Sequence, residues 1–213
     1  MKESGSMAET TDLARAHLIL GSSSPRRREL LNALGIRFMV IPSSVDERLL
    51  SGETPEVHVQ RLALAKAREV AATVPGQWVL GADTIVVIDG QILGKPLDAS
   101  EAKQMLKMLS DRTHTVFTGY ALVNQRYPEK ERVRHVCSGV RIRGLSPDEI
   151  AAYVNTGEPM DKAGAYAIQG IGSAIVAEVT GSYTNVVGLP LCEVAQDLQE
   201  LAIFDFLGRN GTP

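Results

Sequence analysis

The sequence predicts an α/β domain built around a mixed β-sheet. It opens with a strand, a helix and a second strand, the unit from which parallel strand pairs are made. Two long β-rich runs, residues 113–124 and 133–143, follow each other after a short connection, which favours antiparallel pairing. Because strands and helices do not alternate strictly along the chain, a mixed sheet is favoured over a purely parallel, doubly wound sheet.

The first elements are delimited by capping residues. Residues 17–21 form the predicted first strand, and residues 24–34 the first helix. Ser24 is a good N-cap, Pro25 suits the first helical position, and Gly35 provides the stop. The next predicted strand covers residues 36–41.

Turn and capping residues also divide the rest of the chain. Asp89-Gly90 predicts a hairpin turn, and Asp98 with Glu101 and Ser146 with Glu149 have the spacing of capping boxes. The remaining predicted elements are a helix at 55–74, a buried strand at 78–88, a hairpin strand at 91–93, a helix from 98 to 109, a helix from 146 to 157, a strand at 173–179 and a helix at 191–201.

Composition and charge exclude several function classes. The 213 residues carry a formal net charge of −3, which argues against a protein that coats nucleic acid but not against one that binds a small phosphorylated ligand. No apolar run is long enough to suggest a membrane span. Cys137 and Cys192 are far apart in sequence, as expected for a reduced, cytoplasmic protein, and the histidines lack zinc-site spacing. Residues 1–16 are predicted to be disordered or tag-like, and residues 17–205 to form a single domain.

The stretch "LILGSSSPRRREL" (18–30) has the pattern of an anion site. A strand, a polar loop and a helix start would bring backbone N–H groups and the positive end of a helix to one point. The hydroxyls of Ser22 and Ser24 could add donors, and the guanidinium groups of Arg26 and Arg27 suit phosphate oxygens. The P-loop spacing is absent. The alternative is a capped helix with a solvated basic face.

Asp83 is an unexpected residue in its strand. It lies within "VLGADTIVV" (79–87), where the other side chains are apolar or small, and a buried carboxylate needs a cation, a metal or hydrogen-bond donors. Lys95, just beyond the predicted hairpin, is one plausible neighbour. Asp83 is therefore either half of a structural ion pair or a metal ligand or general base that faces a cleft.

Other polar residues have weaker individual signals. Lys162 and Gln169 lie in the small-residue stretch "PMDKAGAYAIQGIG" (159–172), where an amide could read the edge of a base. Glu47 lies in a loop, and Lys66 lies on the apolar stripe of its helix, where a charge must snorkel or reach a ligand. Together, the candidate cations and carboxylates suit a nucleoside triphosphate with Mg²⁺ or a similar ion. The residues alone do not decide whether the nucleotide is cut, moved or only bound.

The ordered set of motifs resembles the Maf family of nucleotide pyrophosphatases. The fragments that carry the resemblance run from about residue 18 to residue 191 and are "SSSPRRRELL", "DE" at 46–47, "RLALAKA", "GADTIVV", "GKP", "YVNTGEPMDKAGAYAIQGIG" and "GSYTNVVGLPL". Each fragment alone is a weak signal, whereas the ordered set is specific.

The resemblance implies a fold and an activity. The implied fold is an elongated mixed sheet with flanking helices and two lobes around a central cleft, related to inosine-triphosphate pyrophosphatases, and homodimers are common in the family. The implied reaction is hydrolysis of a nucleoside triphosphate to the monophosphate and pyrophosphate with a divalent metal (Mg²⁺, Mn²⁺ or Co²⁺). "ADT" with "IQG" resembles the subgroup that acts on dTTP, UTP and modified pyrimidine nucleotides, whereas a sister subgroup prefers 7-methyl-GTP.

The resemblance also assigns roles to residues. Asp83 becomes the catalytic acidic residue, and Arg26, Thr84 and Gln169 match positions linked to base choice. The phosphate and metal-site group becomes Ser24, Arg26, Arg27, Glu47, Lys66, Lys95 and Lys162, with Glu47 and Asp83 as metal ligands. One departure from the family pattern is Gly139, where an acidic residue is usual, which would reduce rate or metal affinity if that carboxylate supports the site. The alternative function is a nucleotide-binding regulatory protein of cell division in which turnover is incidental.

Overall fold

The computed structural model describes residues 17–205, and its central feature is one mixed β-sheet. Within that range, seven strands form the sheet: β1 (Leu18–Leu20), β2 (Phe38–Val40), β3 (Val79–Ile88), β4 (Gln91–Leu93), β5 (Thr113–Val123), β6 (Arg132–Ile142) and β7 (Val176–Thr180). They pair in the order β2-β1-β3-β5-β6-β7, and β4 pairs beside β3. β1 is parallel to β2 and β3, and the other pairs are antiparallel. The predicted mixed sheet and the antiparallel β5–β6 pair are confirmed.

Six α-helices among the described residues flank the sheet. They are α1 (Pro25–Ala33), α2 (Pro55–Ala71), α3 (Ala99–Leu109), α4 (Pro147–Asn155), α5 (Tyr183–Val187) and α6 (Leu191–Glu200). Short 3₁₀ turns cover Pro128–Lys130, Glu158–Asp161, Ala163–Ala165 and Gly170–Ala174. None of these helices is both long and apolar enough to cross a membrane. The predicted character of residues 1–16 lies outside the described residues.

Several helix ends follow from the predicted capping residues. The Ser24 hydroxyl accepts the backbone N–H of Arg27, and Pro25 occupies the first turn of α1. Ser146 and Glu149 form a complete capping box at the start of α4. Residues 183–187, for which the sequence predicts no helix, form α5. The predicted strand at 173–179 is displaced to Val176–Thr180, since Gly170–Ala174 is a 3₁₀ turn.

Helix α2 packs unusually closely against the centre of the sheet. A Cβ added at Gly81 of β3 would overlap the carbonyl oxygen of Ala63, and one added at Gly119 of β5 would overlap that of Val59. Only glycine therefore allows the helix backbone to lie directly on these two paired strands. This close packing brings the side of α2 that carries Lys66 onto β3.

The hydrophobic core divides into three clusters around the sheet. One cluster, with Leu106 and Tyr153, packs α3 and α4 against one end of the sheet. The second, with Leu31 and Leu198, lies under α1 and α6, and the third, with Ala67, lies under α2. The long strands β3 and β5 contribute residues to both ends. The mixed sheet with flanking helices agrees with the fold that the family resemblance implies.

Strand β3 has an open edge in its middle. On the edge opposite β5, β3 pairs with β1 through Val79 and Leu80, and with β4 only from Val86 onward. No described strand covers this edge between those two pairings. Because β1 ends here and the chain turns into α1, the gap lies outside the carboxyl end of a parallel strand, the usual position of a ligand in an open α/β sheet.

Candidate active site

A cavity of about 590 Å³ opens beside the uncovered edge of β3. Its walls come from the loop before α1, from α2, β3 and the end of β4, and from the turns after α4. Ten of the eleven predicted site residues line it, namely Ser22, Ser24, Arg26, Arg27, Glu47, Lys66, Asp83, Thr84, Lys95 and Lys162. Gln169 is the exception: it follows Ile168, which lines the cavity, but is not itself a lining residue.

Asp83 and Glu47 share one ammonium group. Lys66 Nζ lies 2.7 Å from an Asp83 oxygen and 2.5 Å from a Glu47 oxygen. The side chains of Lys66 and Asp83 are 8% and 9% exposed, whereas that of Glu47 is 53% exposed. Lys95, the neighbour suggested by the hairpin, lines the same cavity but is not the partner of Asp83. Lys66 is the partner of Asp83 because the glycines under α2 let this helix lie close to β3, which places Lys66 directly over the strand.

The charge of Glu47 is stabilised by the same contacts. Partial burial raises the pKa of Glu47, but the hydrogen bond and charge of Lys66, with further help from Lys95 and Arg27, outweigh that effect and lower the pKa below its usual value. Glu47 is therefore an ionised ligand candidate at neutral pH.

The two carboxylates suit a hard divalent cation. Mg²⁺ is commonly held by one or two carboxylates together with water and substrate phosphate oxygens, rather than by a cage of protein ligands. Within residues 17–205, no group of three or more His, Cys, Asp or Glu side chains could hold a metal by itself. Asp83 and Glu47, which both contact the Lys66 ammonium, provide the two carboxylates for this mode of binding. Side chains that suit phosphate oxygens line the same cavity.

Arg27 connects three segments of the cavity wall. Its guanidinium donates to the carbonyl oxygen of Gly188 at 2.8 Å, to Ser22 Oγ at 3.1 Å and to Thr84 Oγ1 at 3.1 Å. Burial lowers the pKa of Arg27, and the charges of Asp83 and Glu47 oppose this effect. Because three of its five N–H groups are used within the protein, Arg27 organises the wall and keeps only two donors for a ligand.

The remaining cations are less engaged. Arg26 Nη1 lies 4.0 Å from Asp161, and Lys162 Nζ contacts the same carboxylate and, at 3.4 Å, the carbonyl oxygen of Glu158. Lys95 is exposed and has no ion-pair partner in the described part of the chain. These three side chains lie around the same cavity as the start of α1. The arrangement can neutralise several phosphate charges at once.

Thr84 belongs to a polar chain that sequence reasoning missed. Its hydroxyl lies 2.9 Å from Thr118 Oγ1, and Thr118 donates to the carbonyl oxygen of Asn185 at 2.9 Å. Asn185 is fully buried and also donates from its amide to Val116 and Ser138. A threonine in a β-rich run carries no signal of its own, so only the strand register reveals this contact.

Tyr166 and His114 form a second unpredicted pair at the cavity wall. Tyr166 lines the cavity, and its hydroxyl lies 2.8 Å from Nε2 of His114, which is buried on β5. Burial lowers the pKa of His114 to about 4, so the imidazole is neutral at pH 7. The pair supports one wall of the cavity from within the core.

Gly139, which the resemblance suggested as a departure from the family pattern, is not among the residues that line the cavity. It pairs with Thr115 on β5, whereas Asp83 pairs with Gly119. Gly139 and Asp83 are therefore separated by four residues along the strand direction and by two strand spacings across the sheet. The distance between them is about 16 Å. A carboxylate at this position would not be a direct neighbour of Asp83, so glycine here removes no ligand from the Asp83–Lys66–Glu47 group.

Comparison with known proteins identifies close relatives over most of the chain. The family model described as Maf-like protein matches residues 17–201. A dTTP/UTP pyrophosphatase of Syntrophus aciditrophicus is 51% identical over 191 residues, which cover 90% of this chain and 93% of that protein. The dTTP/UTP pyrophosphatase of Moorella thermoacetica is 53% identical over 194 residues, which cover 90% and 98% of the two chains.

Likeness to solved structures is more distant. A HAM1 protein from Coxiella burnetii is 20% identical and has a TM-score of 0.49, with coverage of 86% of this chain and 98% of that chain. That similarity is too low to establish a common fold. The predicted relation to inosine-triphosphate pyrophosphatases therefore stays a prediction.

Proposed function

The chain belongs to the Maf family, and we propose that it hydrolyses dTTP, UTP and modified pyrimidine nucleoside triphosphates to the monophosphate and pyrophosphate. The observation that carries this proposal is the Asp83–Lys66–Glu47 group, which faces the same cavity as the start of α1, Lys95 and Lys162. The relatives' names favour an enzyme over a regulatory nucleotide-binding protein.

Binding of the triphosphate is assigned to the cations around the cavity. The N-terminus of α1 and the Ser22 and Ser24 hydroxyls offer donors for phosphate oxygens, and Arg26, Lys95 and Lys162 offer positive charge. On substrate binding, phosphate oxygens would take over the contacts that Arg26 and Lys162 now make with Asp161. The same cations would stabilise the charge that develops on the leaving pyrophosphate.

The chemical step is assigned to Asp83. A water molecule attacks the α-phosphorus, the bond between the α-phosphorus and the bridging oxygen breaks, and the bond electrons leave with pyrophosphate. The Asp83 carboxylate accepts the proton that the water loses and later releases it to solvent. Lys66 holds this carboxylate in place through the ion pair. Asp83 and Glu47 would hold Mg²⁺, Mn²⁺ or Co²⁺, which when bound adds positive charge at the phosphate oxygens.

Selection of the base is assigned to Thr84 and Gln169. Thr84 is fixed by Arg27 and Thr118 at the open edge of β3, and Gln169 directly follows the cavity wall. An amide can donate and accept at once, which matches the alternating donor and acceptor on the edge of uracil or thymine.

A homodimer in the cytoplasm is part of the same proposal, by analogy with the family.

The test is product analysis with a panel of nucleotides. The protein is incubated with dTTP, UTP, 5-methyl-UTP, CTP or 7-methyl-GTP and with Mg²⁺ or Mn²⁺, and products are separated by chromatography. We expect monophosphate and pyrophosphate in equal amounts from the first three nucleotides. Release of diphosphate and phosphate, or tight binding of UTP without any product, would contradict the proposal.

A further inference from the structure

Glu47 lies on a loop that the fold itself does not position. Residues 43–53 contain no helix or strand, and those from 46 to 52 are exposed. From Ser44 to Glu53 the chain could extend about 30 Å. The part of α2 that it follows, between Glu69 and Arg61, is only about 12 Å long. Neither apolar burial nor chain length therefore fixes where Glu47 sits.

The beginning of this loop is attached to the C-terminal half of α2. The Glu69 carboxylate accepts the Ser43 hydroxyl, the Ser44 hydroxyl at 2.6 Å and the Ser44 backbone N–H at 2.9 Å. The hydrogen bonds from Ser43 and Ser44 lower the pKa of Glu69, as expected for a carboxylate that accepts several donors. Glu69 thus holds the chain three to four residues before Glu47.

The end of the loop is attached to the N-terminal half of α2. The Glu53 carboxylate is 9% exposed and accepts both Nε and Nη2 of Arg61, the latter at 2.9 Å, as well as the backbone N–H of Leu50 at 3.2 Å. Arg61 Nη2 also donates to the carbonyl oxygen of Arg48 at 3.1 Å. The hydrogen bond from Arg61 is the main reason that the pKa of Glu53 falls to about 2. This attachment reaches the residue directly after Glu47.

We propose that Glu53 and Glu69 are positioning residues for the active site, which clamp the loop onto α2 from both sides so that Glu47 stays beside Lys66 and Asp83. The proposal rests on the proposed function, because it treats Glu47 as a ligand of the divalent cation. Neither Glu53 nor Glu69 lines the cavity. Glu53 also lies 3.0 Å from Nδ1 of His58, which lines the cavity, so cation binding rather than turnover alone is the readout for the position of Glu47.

The chain offers variants and a matched control for a test. In Glu53→Gln and Glu69→Gln, one carboxylate oxygen becomes an NH₂ group that faces existing donors, so each clamp loses a hydrogen bond. The control is Glu131→Gln. In the native protein the exposed Arg68, also on α2, donates to the Glu131 carboxylate at 2.9 and 3.1 Å. Neither residue lines the cavity. Each of the three changes removes one negative charge. Each also removes one hydrogen bond that involves a residue of α2: with Arg61 for Glu53→Gln, with a loop serine for Glu69→Gln and with Arg68 for Glu131→Gln.

The first measurement is Mn²⁺ binding to the protein without nucleotide, followed by electron paramagnetic resonance, together with hydrogen exchange of residues 43–53. We expect about tenfold weaker Mn²⁺ binding and faster exchange in this loop for Glu53→Gln and Glu69→Gln. We expect no change for Glu131→Gln. In turnover assays, the Mn²⁺ concentration for half-maximal rate rises, while kcat at saturating Mn²⁺ stays at the wild-type value.

The proposal is overturned if the clamp variants loosen the loop without weakening Mn²⁺ binding, or if neither variant changes exchange or binding. It is also overturned if all three variants weaken Mn²⁺ binding equally, because the effect would then be one of charge alone. Failure of the proposed function is recognised separately, since wild-type protein would then form no pyrophosphate from dTTP or UTP whatever the variants do.

Discussion

The two carboxylates of the candidate site are held by different parts of the molecule. Asp83 lies on the central strand β3, under a helix that packs on glycines, and its side chain is 9% exposed. Glu47 lies on a loop without regular structure, and its side chain is 53% exposed. Both contact the same Lys66 nitrogen. One half of the site is therefore built into the core, and the other half is attached to it by polar contacts.

This difference indicates that Asp83 and Glu47 have different roles in the site. The position of Asp83 depends on packing that also stabilises the whole domain, so it changes only when the domain changes. The position of Glu47 depends on the hydrogen bonds that hold its loop on α2, so it can change without any change in the packing of the domain. We call Asp83 and the elements packed around it the strand-borne half of the site, and Glu47 with its loop the loop-borne half. We expect substitutions in the strand-borne half to affect the chemical step or stability, and those in the loop-borne half to affect metal affinity.

The largest effect is expected for Asp83→Asn. The amide cannot accept a proton from water, so kcat should fall about 1,000-fold, which is about 4 kcal/mol. The protein should stay folded, because Lys66 keeps Glu47 as a partner. Turnover of dTTP and circular dichroism check both statements, with the exposed Asp148→Asn as control. Full activity of Asp83→Asn would show that the strand-borne carboxylate is not the catalytic group.

A second prediction concerns the pH dependence of the core behind the cavity. Burial lowers the pKa of His114 to about 4 in the folded protein, whereas the unfolded chain has the ordinary value near 6.5. The unfolded state therefore binds the proton first, and stability falls as the pH drops from 6.5 towards 4. The loss due to His114 is about 2 kcal/mol at pH 5.

Urea unfolding at pH 7 and pH 5 measures this loss. In His114→Phe the contribution disappears, so stability should depend less on pH, although the hydrogen bond to Tyr166 is lost at both pH values. Equal pH dependence in wild type and variant would mean that His114 is not held neutral by burial.

The third prediction tests the close packing of α2. In Gly119→Ala the new methyl group would overlap the carbonyl oxygen of Val59, so the helix must move away from the sheet. We expect a loss of about 1–3 kcal/mol in the free energy of unfolding, and lower kcat because Lys66 moves with the helix. Gly139→Ala is the matched control, since its nearest contact would be an ordinary 3.7 Å from Thr180. Equal stability of the two variants would refute the packing argument.

Much of the strand-borne half could be predicted from the sequence. The Ser24 cap, the Asp89-Gly90 hairpin and the apolar run around Asp83 are local signals, and local signals define these elements. Lys66 was also visible, because a charge on an apolar stripe requires a partner. Its partner was not, since the pairing of Lys66 rather than Lys95 with Asp83 depends on how closely a helix lies on the sheet.

The loop-borne half was largely hidden. The contacts of Glu53 and Glu69 join residues across a loop whose path along α2 has no sequence signature, and acidic residues in and near loops are usually solvated. The helix α5 was missed for a related reason: its β-branched residues have low helix propensity, and tertiary contacts such as those of Asn185 override that preference.

The smallest effect is expected for Glu47→Gln. A half-exposed ligand can be replaced in part by water, which Mg²⁺ and Mn²⁺ keep readily in their coordination shells, so the Mn²⁺ concentration for half-maximal turnover should rise about tenfold, or 1.4 kcal/mol. At saturating Mn²⁺, kcat should remain far above that of Asp83→Asn, because the proton acceptor is intact. Titration of turnover with Mn²⁺ in both variants separates the two roles. If Glu47→Gln is as inactive as Asp83→Asn at every Mn²⁺ concentration, the exposed carboxylate is as essential as the buried one, and the division between the two halves of the site does not hold.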